Sequence, residues 1–299
     1  MSKSSTADRH AAGRETRAPA RREVYILASL SLSMLLASLG TSIANVGLPS
    51  LARAFHASFQ QVQWVVLAYL LAVTTSIVSV GRLGDVVGGR RLLLVGVAGF
   101  ALASLLCAVA TTLPLLIAAR AAQGLGAAVM MALTVAFIGA TVPKARTGSA
   151  MGLLGTMSAL GTALGPSLGG VLIAAWGWRA LFLVNVPLGL LTLVLARRFL
   201  PASRPMPNAA RAGFDPIGSL LLALTLAAYA LAMTLRTGGA RGGFGLLNLA
   251  LLLAAGVGLG LFVWTERRAA SPLVHLAMFR DPALRASLAM GVLVSTVMM

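Results

Sequence analysis

Charge leaves this chain for long stretches at a time. No Asp, Glu, Lys or Arg stands between Glu23 and Arg53, or from Ala54 to Gly81, and from Leu92 to Pro143 the only one is Arg120. Further charge-free windows cover 147–178, 180–196, 216–235, 242–265 and 286–299. A helix needs about 20 apolar residues to cross the hydrocarbon core of a bilayer, and most of these windows reach that length. The pattern predicts a polytopic all-α membrane protein. "TTLP" at 111–114 divides the long window, with Pro114 suited to the first turn of a new helix. "WGW" at 176–178 ends another and places two aromatic rings where an interface is expected. Eight full spans follow, near 24–48, 61–81, 92–110, 113–139, 148–174, 180–197, 216–236 and 244–264. A ninth starts near 285 and is still running at Met299, so the sequence reads as C-terminally incomplete.

Composition agrees. The 299 residues are 58% hydrophobic and 10% charged, against about a quarter charged in a soluble domain. The formal net charge of +17 raises nucleic acid as a partner, but the distribution of the charge argues against it. Of the 24 Lys and Arg, nineteen fall in the amino-terminal tail and the even-numbered loops; only Arg53, Arg179, Arg236 and Arg241 fall in the opposite loops. That is the positive-inside pattern. It predicts a multi-pass protein of the cell (inner or plasma) membrane with a cytoplasmic amino terminus. Its partners are then the bilayer, with its anionic headgroups, and a small molecule, and not a nucleic acid. The polar first 23 residues and the long apolar run behind them do not form a cleavable signal. The single cysteine, Cys107, excludes an intramolecular disulfide and any cysteine-cluster metal site and reads as a buried small hydrophobe. No cofactor or metal is implied.

The chain divides into a disordered basic tail (1–23), a six-span bundle (24–200), a linker with two extra spans (201–268), and a cytoplasmic segment with the start of a further span (269–299). The linker opens with "LPASRPMPNAARAGFD", whose three prolines make it stiff. The polar stretch 266–285 has the amphipathic character to lie along the inner membrane face.

Arg120, in "LLIAARAAQGLGAA", carries the strongest chemical signal. An Arg at a helix centre costs roughly 2.5–3.5 kcal/mol on insertion scales and usually faces a bundle interior or a water-filled cavity. Snorkelling suits residues near a helix end, and Arg120 lies well past Pro114. Gln123, Gly124, Ala127 and Met131 share its face at helical spacing, which makes that face polar or small and points to a polar cavity. "GRLGDVVGGRR" (81–91) joins spans two and three; Asp85 with Arg82, Arg90 and Arg91 can tie helix ends by charge pairs, while Gly84, Gly88 and Gly89 permit a tight backbone. A solvated turn is the alternative. In "GTALGPSLGG", Gly161, Gly165 and Gly169 recur every four residues as a ridge for close packing, and Pro166 removes a backbone hydrogen bond and should bend the helix. That suits a moving gate, or ordinary helix packing. The same stretch holds a literal G-x-S-x-G around Ser167, but a nucleophile elbow needs a strand–turn–helix and a His partner. His10, His56 and His275 all lie in the tail or loops, so the match is accidental and an enzyme is not expected. None of the seven acids (Asp8, Glu15, Glu23, Asp85, Asp215, Glu266 and Asp281) lies in the middle of a span.

In this order these segments resemble the major facilitator superfamily, and more closely its fourteen-span drug:proton antiporter branch. "GRLGDVVGGRRLLL", beginning at Gly81, is similar to its loop motif, "LLIAARAAQGLGAA" to its span-four motif and "LGTALGPSLGG" to its antiporter motif. "GLPSLARAF", with Asn45 just before it, resembles the end of span one, "QWVVLAYLLA" the second span and "WRALFLVNVPLG" the approach to span six. "FDPIGSLLL", opening the first of two further spans, also suits the fourteen-span plan. The resemblance implies a major-facilitator-type six-helix bundle, two linker helices and the start of a second bundle. It implies efflux of small amphipathic compounds, drugs or metabolites, by alternating access, with protons as coupling ion in the complete protein. Arg120, with Gln123 and Asn45, would serve transport and coupling. Gly81, Asp85, Gly88 and Arg90 would form the inner gate. Gly161, Gly165, Pro166, Gly169 and Gly170 would shape the antiporter helix.

The chain also departs from that branch. A carboxylate commonly stands nine residues before the span-one proline; counting back from Pro49 gives Gly40. Val86 and Gly89 replace basic positions of the loop motif. Either the carrier carboxylate lies beyond Met299, or Arg120 suits an anionic or neutral substrate. A second function stays open: a truncated half-transporter acting as a non-transporting membrane partner or scaffold.

Overall fold

The computed structural model describes residues 17–201, 216–234, 245–268, 284–287 and 289–290. Helices dominate the described residues, and none of these residues is in a strand. They are α1 (Arg17–Ala54), α2 (Phe59–Val87), α3 (Gly89–Val109), α4 (Leu113–Thr141), α5 (Lys144–Trp176), the short α6 (Ala180–Leu183), α7 (Asn185–Phe199), α8 (Pro216–Thr234) and α9 (Leu246–Arg268). Among the described residues six helical stretches are long and apolar enough to cross a membrane, with α6 and α7 together making one of them. The count is seven when α2, bent by 51° between Ile77 and Ser79, is taken as one span.

Local chemistry sets several boundaries. Ser58 caps α2 through a reciprocal capping box with Gln61. Pro114 stands in the first turn of α4, as expected. Gly88 takes φ of 99° at the junction of α2 and α3, a left-handed value that favours glycine. α1 starts earlier than expected. It is helical from Arg17, inside the segment read as a disordered tail, and it continues through Pro49. α8 is helical over Pro216–Thr234, within the 216–236 expected. The linker over 202–215, nearly all of the amphipathic stretch 266–285, and the ninth span from 291 onward lie outside the described residues.

The chain forms two compact units, 1–210 and 211–299. In the second, α8 and α9 pack closely. A Cβ on Gly258 would lie 2.5 Å from Thr225 Oγ1, and Asn248 Nδ2 donates to the Ala232 carbonyl at 2.6 Å.

In the first unit glycine brings backbones together at three seams. α4 lies against α2 at Gly124, where a Cβ would stand 2.5 Å from the Tyr69 carbonyl oxygen, and against α3 at Gly126, where it would stand 2.8 Å from the Gly96 carbonyl oxygen. α5 lies against α1 through the predicted ridge. A Cβ on Gly161 would stand 2.6 Å from the Leu35 carbonyl oxygen, and one on Gly165 would stand 3.0 Å from the Ile43 nitrogen and closer still to Ser42 Oγ. The side chains fill two apolar clusters stacked along the bundle. One is built around Leu30, Leu93, Phe100, Met130 and Leu133. The other is built around Ile43, Leu51, Val65, Leu116 and Phe182, and it takes in Cys107 as expected.

One end of the bundle is tied by polar and aromatic contacts. Arg146 Nη1 is 3.4 Å from Glu23 Oε1, Arg90 Nη2 donates to the Arg197 carbonyl, and Tyr25 stacks on Phe199 at 4.4 Å. At the opposite end Phe55 and Trp178 meet at 5.3 Å. Only Trp176 of the "WGW" pair is exposed. Trp178 turns inward against Phe55 and Phe182, because the chain re-enters the bundle there as α6.

Candidate functional site

Arg120 is completely enclosed, with 0% of its surface exposed. It does not line open space in this conformation, as the expected polar cavity would require; it stands where the two apolar clusters meet. Its Nε donates to the Val65 carbonyl of α2 at 3.0 Å. Its Nη1 donates to Gln123 Oε1 at 2.6 Å, one turn further along α4. The Gln123 amide then donates through Nε2 to Ser104 Oγ of α3 at 2.6 Å, and Ser104 donates to the Phe100 carbonyl at 2.7 Å. Each bond in this chain fixes the direction of the next. Because guanidinium can only donate, Gln123 must present its oxygen to Arg120 and its nitrogen to Ser104.

Aromatic rings complete the enclosure. The guanidinium carbon lies 4.2 Å from the centroid of Tyr69 and 5.8 Å from that of Phe182. Tyr69 is itself held, its hydroxyl donating to the Ala37 carbonyl of α1 at 2.7 Å. A desolvated cation over an aromatic face is worth about 2 kcal/mol, and a hydrogen bond from a charged group about 1.5–3 kcal/mol. Together these are of the size of the roughly 2.5–3.5 kcal/mol that an Arg costs at the centre of a membrane helix. Arg120 Nη2 is buried without a hydrogen-bond partner. Gly40 faces the same place, since a Cβ there would lie 3.4 Å from Tyr69 Oη.

Arg120 and Gln123 are thus brought together. Gly124 and Ala127 are buried on the same face, and Met131 is half-buried. Asn45 is exposed on α1 and takes no part in this network. At the α2–α3 junction, Asp85 is exposed and no ion pair forms between it and Arg90 or Arg91. The tie runs instead from Arg90 to the Arg197 carbonyl at the end of α7. Gly88 is required there by its φ, whereas Gly81 borders open space.

In α5, Gly161, Gly165 and Gly169 face α1, and Gly170 points into open space. The helix is continuous through Pro166. Proline cannot donate to the carbonyl four residues earlier, that of Thr162, and Ser42 of α1 donates to it instead at 2.7 Å. One turn away Ser38 and Ser158 share a hydrogen bond of 2.8 Å. Ser167 is helical, and its hydroxyl is turned onto the Leu164 carbonyl of its own helix, so the G-x-S-x-G has no elbow geometry.

Sequence reasoning missed Val65, Tyr69, Ser104 and Phe182 around Arg120, and Ser42 beside Pro166. The one signal for Ser42 was periodic. Ser38 and Ser42 in α1, and Ser158 and Thr162 in α5, are both spaced by four.

Comparison with known proteins places these features in a family. The sequence model of the Major Facilitator Superfamily matches residues 30–299. The chain is 36% identical over 262 residues to the multidrug resistance protein Stp of Mycobacterium tuberculosis, covering 87% of this chain and 48% of that protein. It is 38% identical over 278 residues to the drug efflux pump JefA of the same species (90% and 52%). It is 34% identical over 269 residues to the tetracenomycin C resistance and export protein of Streptomyces glaucescens (90% and 49%). The chain therefore spans about half the length of these relatives. Among solved structures, a bacterial homolog of the human lysosomal transporter Spinster, inward-facing and unoccupied, aligns with a TM-score of 0.55 at 16% identity, over 83% of this chain and 63% of that one. A D-xylose-proton symporter aligns with a TM-score of 0.52 at 17% identity, over 81% and 67%. At such identities the likeness is one of fold.

Proposed function

The chain belongs to the Major Facilitator Superfamily and is a multi-pass membrane protein, and from that premise we propose that it works in a secondary transporter of the fourteen-span drug:proton antiporter type. It exports small amphipathic compounds by alternating access, with proton coupling in the complete protein, and its amino terminus faces the cytoplasm. The observation that carries this reading is the enclosed Arg120. A fully buried cation held by α2 and its own helix α4, tied through Gln123 to α3 and covered by rings from α2 and α6, is costly to keep in a merely structural bundle. It marks a working centre. The relatives named for drug resistance or efflux support export as the direction, and the Pro49 and Pro166 helices packed on each other suit bundles that rock around a central site. The clustering of Glu23, Arg90, Arg146 and Arg197 at one end supports the orientation.

The test is export of an amphipathic fluorescent dye from pump-deficient cells expressing the complete protein. Faster loss of dye than from empty-vector cells, collapsed by a protonophore, supports proton-coupled export. A chain that is folded and inserted but moves no dye would sink that reading. It would favour a membrane partner that does not itself transport.

A further inference from the structure

Among the described residues no carboxylate touches the buried guanidinium of Arg120. We infer that Arg120 is the recognition group for the anionic moiety, a carboxylate or comparable diffuse anion, of an amphipathic substrate. This rests on the transporter reading and adds the sign of the substrate's charge.

Three observations carry it. First, everything that touches the guanidinium is neutral: the Val65 carbonyl, the Gln123 amide oxygen and the rings of Tyr69 and Phe182. All seven acids of the chain lie outside the middle of any span. Second, those neutral partners leave donors over. Nε and Nη1 are engaged, while Nη2 is buried with no acceptor. An unused charge-assisted donor in a low-dielectric site gains most from an anionic oxygen. Third, position 40 faces the ring that covers Arg120 and carries no side chain. A Cβ there would lie 3.4 Å from Tyr69 Oη and 3.2 Å from Phe100 Cζ. With Gly40 the cation stays uncommitted.

Tyr69 is then the shield. In this conformation its ring covers the guanidinium and its hydroxyl holds the Ala37 carbonyl. An anion reaching Nη2 displaces the ring, and the hydrogen bond to α1 breaks with it. Anion binding and a shift of α2 relative to α1 are thereby one event, which is how a substrate can bias a two-state bundle.

Tetraphenylborate and tetraphenylphosphonium test this, since they match in size and shape and differ in sign. Binding of each to the purified full chain in detergent is followed by competition and by melting temperature. Tetraphenylborate should bind saturably and tightly, and tetraphenylphosphonium should not displace it. Arg120→Gln should weaken tetraphenylborate about tenfold or more, as expected for loss of a charged hydrogen-bond donor, and Arg146→Gln at the exposed end should not. Arg120→Gln alone does not separate recognition from folding, so Gly40→Asp is the second variant. It places a carboxylate beside the Tyr69 hydroxyl and should weaken tetraphenylborate by a similar factor, whereas Gly40→Ala, whose Cβ meets the same Phe100 and Tyr69 atoms, should not. Equal binding of the two ions, or tetraphenylborate binding untouched in Arg120→Gln and Gly40→Asp, overturns the inference. The two readings fail separately. Dye export without anion preference removes the substrate class and leaves the transporter, while anion preference without export removes the transporter and leaves the site.

Discussion

Ser42 donates its hydroxyl from α1 to the Thr162 carbonyl of α5 at 2.7 Å, the carbonyl that Pro166 cannot serve. The helix break implied by proline is therefore repaired by a neighbouring helix, as membrane proteins commonly do. The bond couples the two helices at the point where Gly165 lets them touch.

Ser42→Ala should lower stability by about 0.6–1.7 kcal/mol, the range of interhelical hydrogen bonds in membranes. The informative comparison is with Pro166→Ala, which restores a backbone donor to Thr162. In that background Ser42→Ala should cost much less. Thermal unfolding of the four proteins in detergent gives the coupling directly, and additive effects would show that the hydroxyl does not replace the lost backbone bond.

The glycines of α5 separate by the space they face. Gly165→Ala drives a Cβ into Ser42 and the α1 backbone and should cost roughly 1–3 kcal/mol, as overpacking does. Gly170→Ala meets nothing within 4 Å and should stay within about 0.5 kcal/mol of the parent. Similar melting temperatures for the two would mean that the α1–α5 seam is looser than its distances imply.

Much of this was legible in the sequence, for physical reasons. Charge-free windows report span positions because the bilayer interior leaves no alternative, and Arg120 stood out because a charge in such a window is expensive. Gly161, Gly165 and Gly169 disclosed a seam because small residues at every fourth position form a continuous face. Pairings across helices were not legible. Nothing local says that Gln123 turns to Ser104, that Tyr69 covers Arg120, or that Arg90 chooses the Arg197 carbonyl over Asp85. Those choices depend on how α2, α3 and α7 register against one another. Trp178 misled for the same reason, since an aromatic at a span end can face the headgroups or the core.

The Arg120 network has its own test at Gln123. Gln123→Leu strips the acceptor from Arg120 Nη1 and the donor from Ser104, and should destabilise by about 1–3 kcal/mol. Gln123→Glu keeps an acceptor for Arg120 and adds a counter-charge, and the Ser104 hydroxyl can rotate to donate to it. It should melt at or above the parent temperature. If both variants melt equally low, the site tolerates only the shape of glutamine, and the directional hydrogen bonds described above contribute little.

Orientation can be read with single cysteines. Cys107 is buried, so a Cys107→Ala background carries no competing thiol. Arg146 lies at the end shared with Glu23, and Arg179 at the opposite end beside Trp178. Both are exposed. The excess of Lys and Arg at the Glu23 end predicts that this end is cytoplasmic. A membrane-impermeant maleimide added to intact cells should then label Arg179→Cys and spare Arg146→Cys until the cells are permeabilised. The reverse pattern would invert the topology, making the amino terminus extracellular and turning the proposed export into uptake. Labelling of both positions in intact cells would mean mixed insertion, which the strong asymmetry of charge between the two ends argues against.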